Sequence, residues 1–125
     1  MSKILILEDA PASRDALVRA LRQEGHETQC ARNGVEGLVR LKQEMPDLVL
    51  LDHMMPEVDG LTFLAGIRRF PKWKQLPVIM MTGMNNRTNY AQAQNLGVTD
   101  YLIKADFTLA QLLDRVRKAL EPKPA

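Results

Sequence analysis

Three acidic side chains, a hydroxyl and an ammonium stand at the ends of four short apolar runs in this 125-residue chain. Glu8 and Asp9 follow Ile4-Leu5-Ile6-Leu7, and Asp52 follows Leu48-Val49-Leu50-Leu51. Thr82 follows Val78-Ile79-Met80-Met81, and Lys104 follows Tyr101-Leu102-Ile103. If the runs are parallel strands of one sheet, all these polar ends share a single crevice. Carboxylates a few ångströms apart repel by about 1–4 kcal/mol per pair, depending on the effective dielectric. Mg2+ relieves such repulsion through hard oxygen ligands. Once negative charge is neutralised by metal and Lys104, an Asp carboxylate can attack phosphorus, and Thr82 can donate a hydrogen bond to a phosphoryl oxygen. Taken singly, a strand-end Asp is a helix cap and a lone Lys is solvated. Taken together at matched strand ends, the residues point to phosphoryl and metal chemistry.

The elements that must position them alternate strand and helix throughout, the pattern of an α/β fold with a parallel sheet. Unbroken apolar runs suit strands covered on both faces. Pro11 fits the first turn of a helix that buries Leu17, Ala20 and Leu21 and stops at Gly25. A second strand spans about Glu27 to Ala31. Asn33 caps a helix expected to carry Val35, Leu38, Val39 and Leu41 inward, and Met45-Pro46 ends it. Asp59 caps a helix through Leu61, Leu64 and Ile67 to Phe70-Pro71. A polar helix is expected from about Asn86 to Leu96, ended by Gly97. The last helix has the clearest apolar spacing: Leu109, Leu112, Leu113, Val116 and Leu120. The expected architecture is a doubly wound five-stranded parallel sheet flanked by five helices, flavodoxin-like, with strand order 2-1-3-4-5. In such a sheet the binding crevice lies at the carboxyl ends of the strands.

Length allows one domain, expected over residues 1–121, with 122–125 as a disordered tail or linker stump. Such a chain buries around two-thirds of its unfolded surface, so it needs neither disulfides nor a structural metal. A composition of 46% hydrophobic and 26% charged residues is that of a globular protein, and a formal charge of +2 gives no footprint for direct nucleic-acid binding. The local basic cluster of Arg68, Arg69, Lys72 and Lys74 reads as a solvated helix end. Cys30 is the sole cysteine, which excludes an internal disulfide, and it reads as a buried structural thiol. No run approaches the ~18 apolar residues of a membrane span and no signal peptide opens the chain, so the expected compartment is the cytoplasm.

The chain resembles the receiver domain of two-component response regulators, similar to the stand-alone chemotaxis regulator. The motifs that carry the resemblance are Ile6-Leu7-Glu8-Asp9, Leu50-Leu51-Asp52 with Met54-Met55-Pro56 and Asp59-Gly60, Met81-Thr82-Gly83, and Asp100-Tyr101-Leu102-Ile103-Lys104. The resemblance spans about Lys3 to Leu120. It implies that Asp52 accepts a phosphoryl group from a histidine kinase, a phosphotransfer protein or a small donor. Asp9 and Asp52 would then hold Mg2+ directly, Glu8 through water, and Met54 by its backbone carbonyl. Thr82 and Lys104 would bind the phosphoryl oxygens. Tyr101 would swing inward as Thr82 moves, reshaping the face of the fourth helix, fifth strand and last helix. That face would bind a downstream protein or mediate a phosphorylation-dependent dimer of an otherwise monomeric chain. Judged from its own residues, Tyr101 is expected on a half-buried strand face with its hydroxyl at solvent.

One departure from the family is Ala105, where proline joined by a cis bond is usual. A cis bond before a non-proline residue costs roughly 3 kcal/mol, so a trans Lys104-Ala105 bond is expected. Met54 and Met84, two residues beyond Asp52 and Thr82, cannot orient an attacking water; they either fill gaps or slow hydrolysis. His53 is expected to face solvent, and Trp73 to cover the end of the preceding helix rather than to anchor a partner.

A phosphorylation-controlled binding module is thus the leading reading, with output through a protein contact or through parts of a longer protein. An aspartyl-phosphate phosphatase of the haloacid-dehalogenase type would need an Asp where Met54 stands. A flavodoxin-like cofactor binder would need a phosphate-cradling loop where Glu8-Asp9-Ala10-Pro11 would repel phosphate. A degenerate receiver that only binds partners would not need the full set Glu8, Asp9, Asp52, Thr82 and Lys104.

Overall fold

Why the polar ends meet follows from sheet order and pleat. In the computed structural model, which describes residues 2–55, 57–83 and 87–121, five strands alternate with five helices. These are β1 (Lys3–Leu7), α1 (Pro11–Gln23), β2 (Glu27–Ala31), α2 (Gly34–Gln43), β3 (Leu48–Asp52), α3 (Gly60–Ile67), β4 (Val78–Thr82), α4 (Arg87–Asn95), β5 (Asp100–Ile103) and α5 (Leu109–Leu120). The strands form one parallel sheet in the order β2-β1-β3-β4-β5, as the alternating pattern predicts. Residues 122–125, expected as a tail, and Met84 lie outside the described residues.

Alternation along each strand divides the core in two. Ile4, Ile6, Leu48, Leu50, Ile79 and Met81 pack with Leu17, Leu21, Leu112 and Val116 of α1 and α5. Leu5, Leu7, Val49, Leu51, Val78 and Met80 pack with Leu41, Leu64, Ile67 and Ala93 of α2, α3 and α4. Continuing the same parity puts Glu8 and Asp52 on the α1/α5 side of the sheet and Thr82 on the α4 side.

Caps fall where the side-chain chemistry requires. Asn33 accepts from Glu36 N at 2.9 Å, Asp59 from Thr62 N at 2.8 Å, and Thr108 with Gln111 forms a capping box. Gly25 and Gly97 turn the chain after α1 and α4 at φ of +91° and +72°.

Four expectations about burial are corrected. Helix α2 does not carry Val35 and Val39 inward; they are 61% and 49% exposed. Its inner face is instead Gly34, Gly37 and Leu41, because a Cβ at Gly37 would lie 2.5 Å from Leu7 Cδ2. The helix comes too close to β1 for a larger side chain, so valines at that spacing turn out. Leu109, at the start of α5, is 46% exposed at the lip of a groove between α1 and α5. Arg68 is not part of a solvated helix end. Its guanidinium donates to Leu96 O, Trp73 O and Leu76 O at 2.8 Å each and to Gly97 O at 3.2 Å. Burial pulls its pKa down. Trp73, expected to cover the end of the preceding helix, is 1% exposed and part of the core, with Lys72 Nζ 4.5 Å over its ring. Cys30 is half-buried rather than fully enclosed.

Candidate functional site

The carboxylates of Glu8, Asp9 and Asp52 each offer an oxygen within 4.8 Å of the others. Sheet order makes this possible: β1 and β3 are neighbours in register from Ile4↔Leu48 to Leu7↔Leu51, so the residues that follow emerge side by side. Glu8 and Asp52 are 1% and 2% exposed, while Asp9 is the most open of the three. Oxygen donors of this kind suit a hard divalent cation.

Lys104 spans the pair. Its Nζ lies 3.2 Å from Glu8 Oε2 and 3.4 Å from Asp52 Oδ2. Lys104 opens a short 3-10 turn, Lys104–Asp106, directly after β5, and no described peptide is cis, as alanine at 105 predicts. With alanine at 105, the ammonium still reaches both carboxylates. Burial pushes the Glu8 carboxyl pKa up, the charge of Asp52 adds to the rise, and Lys104 and the Ala10 N–H oppose it. For Lys104, burial pulls down, but Asp52 and then Glu8 outweigh it and the ammonium is held above its ordinary value.

The loops around the cluster are pinned by backbone contacts. Met54 N donates to Asp52 Oδ1 at 3.1 Å, and Ala10 N to Glu8 Oε1 at 3.2 Å. Arg14, unremarked in the sequence, donates from Nη1 to the carbonyls of Glu8 and Asp9 at 3.1 and 3.4 Å. Its position in the first turn of α1, on the side facing the acidic pair, is the signal that could have marked it.

Gly60 starts α3 against the Asp52–His53 backbone, and a Cβ there would stand 2.7 Å from His53 Cα and 2.9 Å from Asp52 O. Backbone cannot step aside as a side chain can. Gly60→Ala is therefore expected to cost about 1–3 kcal/mol in urea unfolding, while an equally stable variant would contradict this packing.

His53 corrects the expectation of a solvent-facing ring. It is 7% exposed, because its backbone is bound on both sides: N to Met81 O at 2.8 Å, and O from Gly60 N at 3.0 Å. Tyr101 is also different from the residue-level reading. It is half-buried on β5, but its hydroxyl is enclosed and has no aligned hydrogen bond among the described residues. Burial raises its pKa, and Thr82, close by on the same face of the sheet, opposes part of the rise. Tyr90 of α4 packs edge-on against it, ring centroids 5.4 Å apart. Thr82 itself is fully buried at the end of β4. Met54 is 53% exposed beside the cluster. Ala105 is exposed next to Lys104.

The fold and site define a doubly wound α/β domain with an acidic cluster and a bridging ammonium at the carboxyl edge of its sheet. The chain belongs to the response regulator receiver domain family, whose profile matches residues 4–117. It is similar to the DNA-binding dual master transcriptional regulator RpaA of Synechocystis, 37% identical over 120 residues, covering 96% of this chain and 49% of that protein. Its fold is similar to the chemotaxis protein CheY4 of Vibrio cholerae, with a TM-score of 0.89 at 26% identity, covering 96% and 99% of the two chains. It is also similar to the Mn(2+)-bound form of response regulator Rcp1, with a TM-score of 0.78 at 28% identity, covering 96% and 90%. The chain spans about half the length of several curated relatives. Receiver domains are switches of two-component signalling rather than enzymes acting on external substrates. No helix among the described residues is long and apolar enough to cross a membrane.

Proposed function

We propose that this receiver, taken as residues 1–121, is switched by phosphorylation of Asp52 with Mg2+ bound at Glu8, Asp9 and Asp52. The observation that carries the reading is the convergence of three carboxylates on one point with Lys104 bridging two of them. An Asp52 oxygen forms the new bond to phosphorus as the bond to a donor's imidazole nitrogen, or to an acyl oxygen, breaks and the donor keeps the electron pair. Mg2+ supplies the positive charge that lets a carboxylate approach a phosphoryl group. Asp9 and Asp52 fit as direct ligands and the Met54 carbonyl as a third. Glu8, already occupied by Lys104 and Ala10 N, fits a role through water. The similar Rcp1 has a Mn(2+)-bound form, which supports a divalent cation in this reading.

Lys104 and Thr82 receive the phosphoryl oxygens in this reading. The response travels along the α4 side of the sheet through Thr82 and Tyr101. Its output is a protein, or a second copy, docking on the α4–β5–α5 face, without direct contact to nucleic acid. The donor is a histidine kinase or phosphotransfer protein, and the cytoplasm, where ATP-fed kinases work, is the compartment the reading requires. The test is incubation with acetyl phosphate and Mg2+. A species heavier by about 80 Da, the mass of HPO3, is expected, and its absence would end the proposal.

Glu8 makes the effect of Mg2+ depend on pH. Its folded-state pKa is raised above the ordinary 4.5, so its contribution to stability is greatest below 4.5 and is lost as pH rises through the folded value. Mg2+ needs the ionised site. The melting temperature should therefore rise little with Mg2+ near the ordinary carboxylate pKa and progressively more above it, by about 1–3 kcal/mol of stability at tens of times Kd. A metal effect that shrinks with rising pH would contradict this.

Exposed Met54 offers no polar group to position water over a phosphorylated Asp52. Met54→Asn is expected to shorten phosphate lifetime by about 10-fold, as one added hydrogen-bonding group at a water site can do. Equal lifetimes by mass spectrometry would remove any role for Met54.

A further inference from the structure

Helix α4 is attached at two ends in different ways. Along its described length only Ala93 is fully buried. Just beyond its C-terminus, Arg68 of the α3 end holds Leu96 O and Gly97 O while the same guanidinium holds Trp73 O and Leu76 O. One planar, rigid fork thus ties two chain turns together, and this end of α4 is fixed.

Toward the acidic cluster, Asn89 Nδ2 stands 3.4 Å from His53 Nε2. His53 directly follows Asp52, and its backbone is bound to Met81 O and Gly60 N, so the imidazole moves with the Asp52 peptide. An amide NH2 can only donate, so the contact is a hydrogen bond in the tautomer that has Nε2 free and the ring proton on Nδ1. That Nδ1 is buried and has no hydrogen-bond partner among the described residues. The arrangement keeps a donor out of water uncompensated, which favours any shift that frees it.

We propose that the His53–Asn89 contact is a latch through which phosphorylation of Asp52 releases the site end of α4, letting the helix turn about the end held by Arg68. The proposal rests on the reading of Asp52 as phosphoacceptor and adds a route beside Thr82 and Tyr101. His53 and Asn89 are positioning residues and touch no phosphoryl group. Displacement of the ring, not its ionisation, opens the latch.

The test uses 15N amide spectra with Mg2+ alone and with Mg2+ plus beryllofluoride, a phosphoryl mimic. In Asn89→Ala, the α4 amides of the unloaded protein should already lie toward the loaded wild-type positions. Loading should then move them about half as far as in wild type or less, while the amides near Thr82 respond fully. His53→Phe, which keeps a ring but no acceptor, should match it, and the double variant should go no further than either single one, since both remove one contact. Full-sized α4 shifts in Asn89→Ala, or singles that add in the double variant, would overturn the latch while leaving the phosphoacceptor reading intact. A wild type that takes up no beryllofluoride would overturn both.

Discussion

Asp52→Asn is expected to take up no phosphate from acetyl phosphate, a loss of at least about 10^3-fold in rate, because an amide has no anionic oxygen to bond phosphorus. The substitution is nearly isosteric. Asp52 is enclosed, and its Oδ1 accepts from Met54 N, a bond that the amide oxygen can keep. The loop should therefore hold its shape and the variant should melt cooperatively. Mass spectrometry reads the outcome directly: wild type gains HPO3 and the variant does not. Phosphate on the variant, at any other carboxylate, would dismiss Asp52 as the acceptor.

Lys104→Ala should give the next largest effect, slowing phosphorylation by about 10^2–10^3-fold, the usual consequence of removing one preorganised charge from a site where negative charge gathers. The ammonium sits 3.2 and 3.4 Å from two carboxylates that are themselves almost fully enclosed. Its loss leaves Glu8 and Asp52 facing each other without compensation. The Lys104 side chain is 41% exposed, so solvent screens the pair and the stability lost at neutral pH should be no more than about 1 kcal/mol. That loss should shrink as pH falls and Glu8, already raised in pKa, takes up a proton. The check is a phosphorylation time course beside urea melts at two pH values. A Lys104→Ala rate within a few-fold of wild type would show that the ammonium serves the resting site only.

How much of this was legible beforehand depends on the distance over which each feature is decided. The strands, their order and the convergence of Glu8, Asp9, Asp52 and Lys104 could be read from apolar runs ending in polar residues, since a doubly wound parallel sheet sends every strand's carboxyl end to one edge. Asn33 and Asp59 were legible as caps because a cap bonds three residues along its own chain. Val35 and Val39 misled. Apolar spacing marks a helix face, but which face turns inward was set by how near α2 comes to Leu7, and that favours Gly37.

The sequence by itself determined the α/β architecture, the family and the chemistry gathered at the sheet edge, all consequences of residue type and short-range period. Tertiary structure alone decided that His53 is enclosed against Asn89, 36 positions away, that Arg68 clasps four carbonyls instead of meeting water, and that the Tyr101 hydroxyl is shut in. Such outcomes depend on which distant surface comes to cover a residue, and no local pattern encodes the cover.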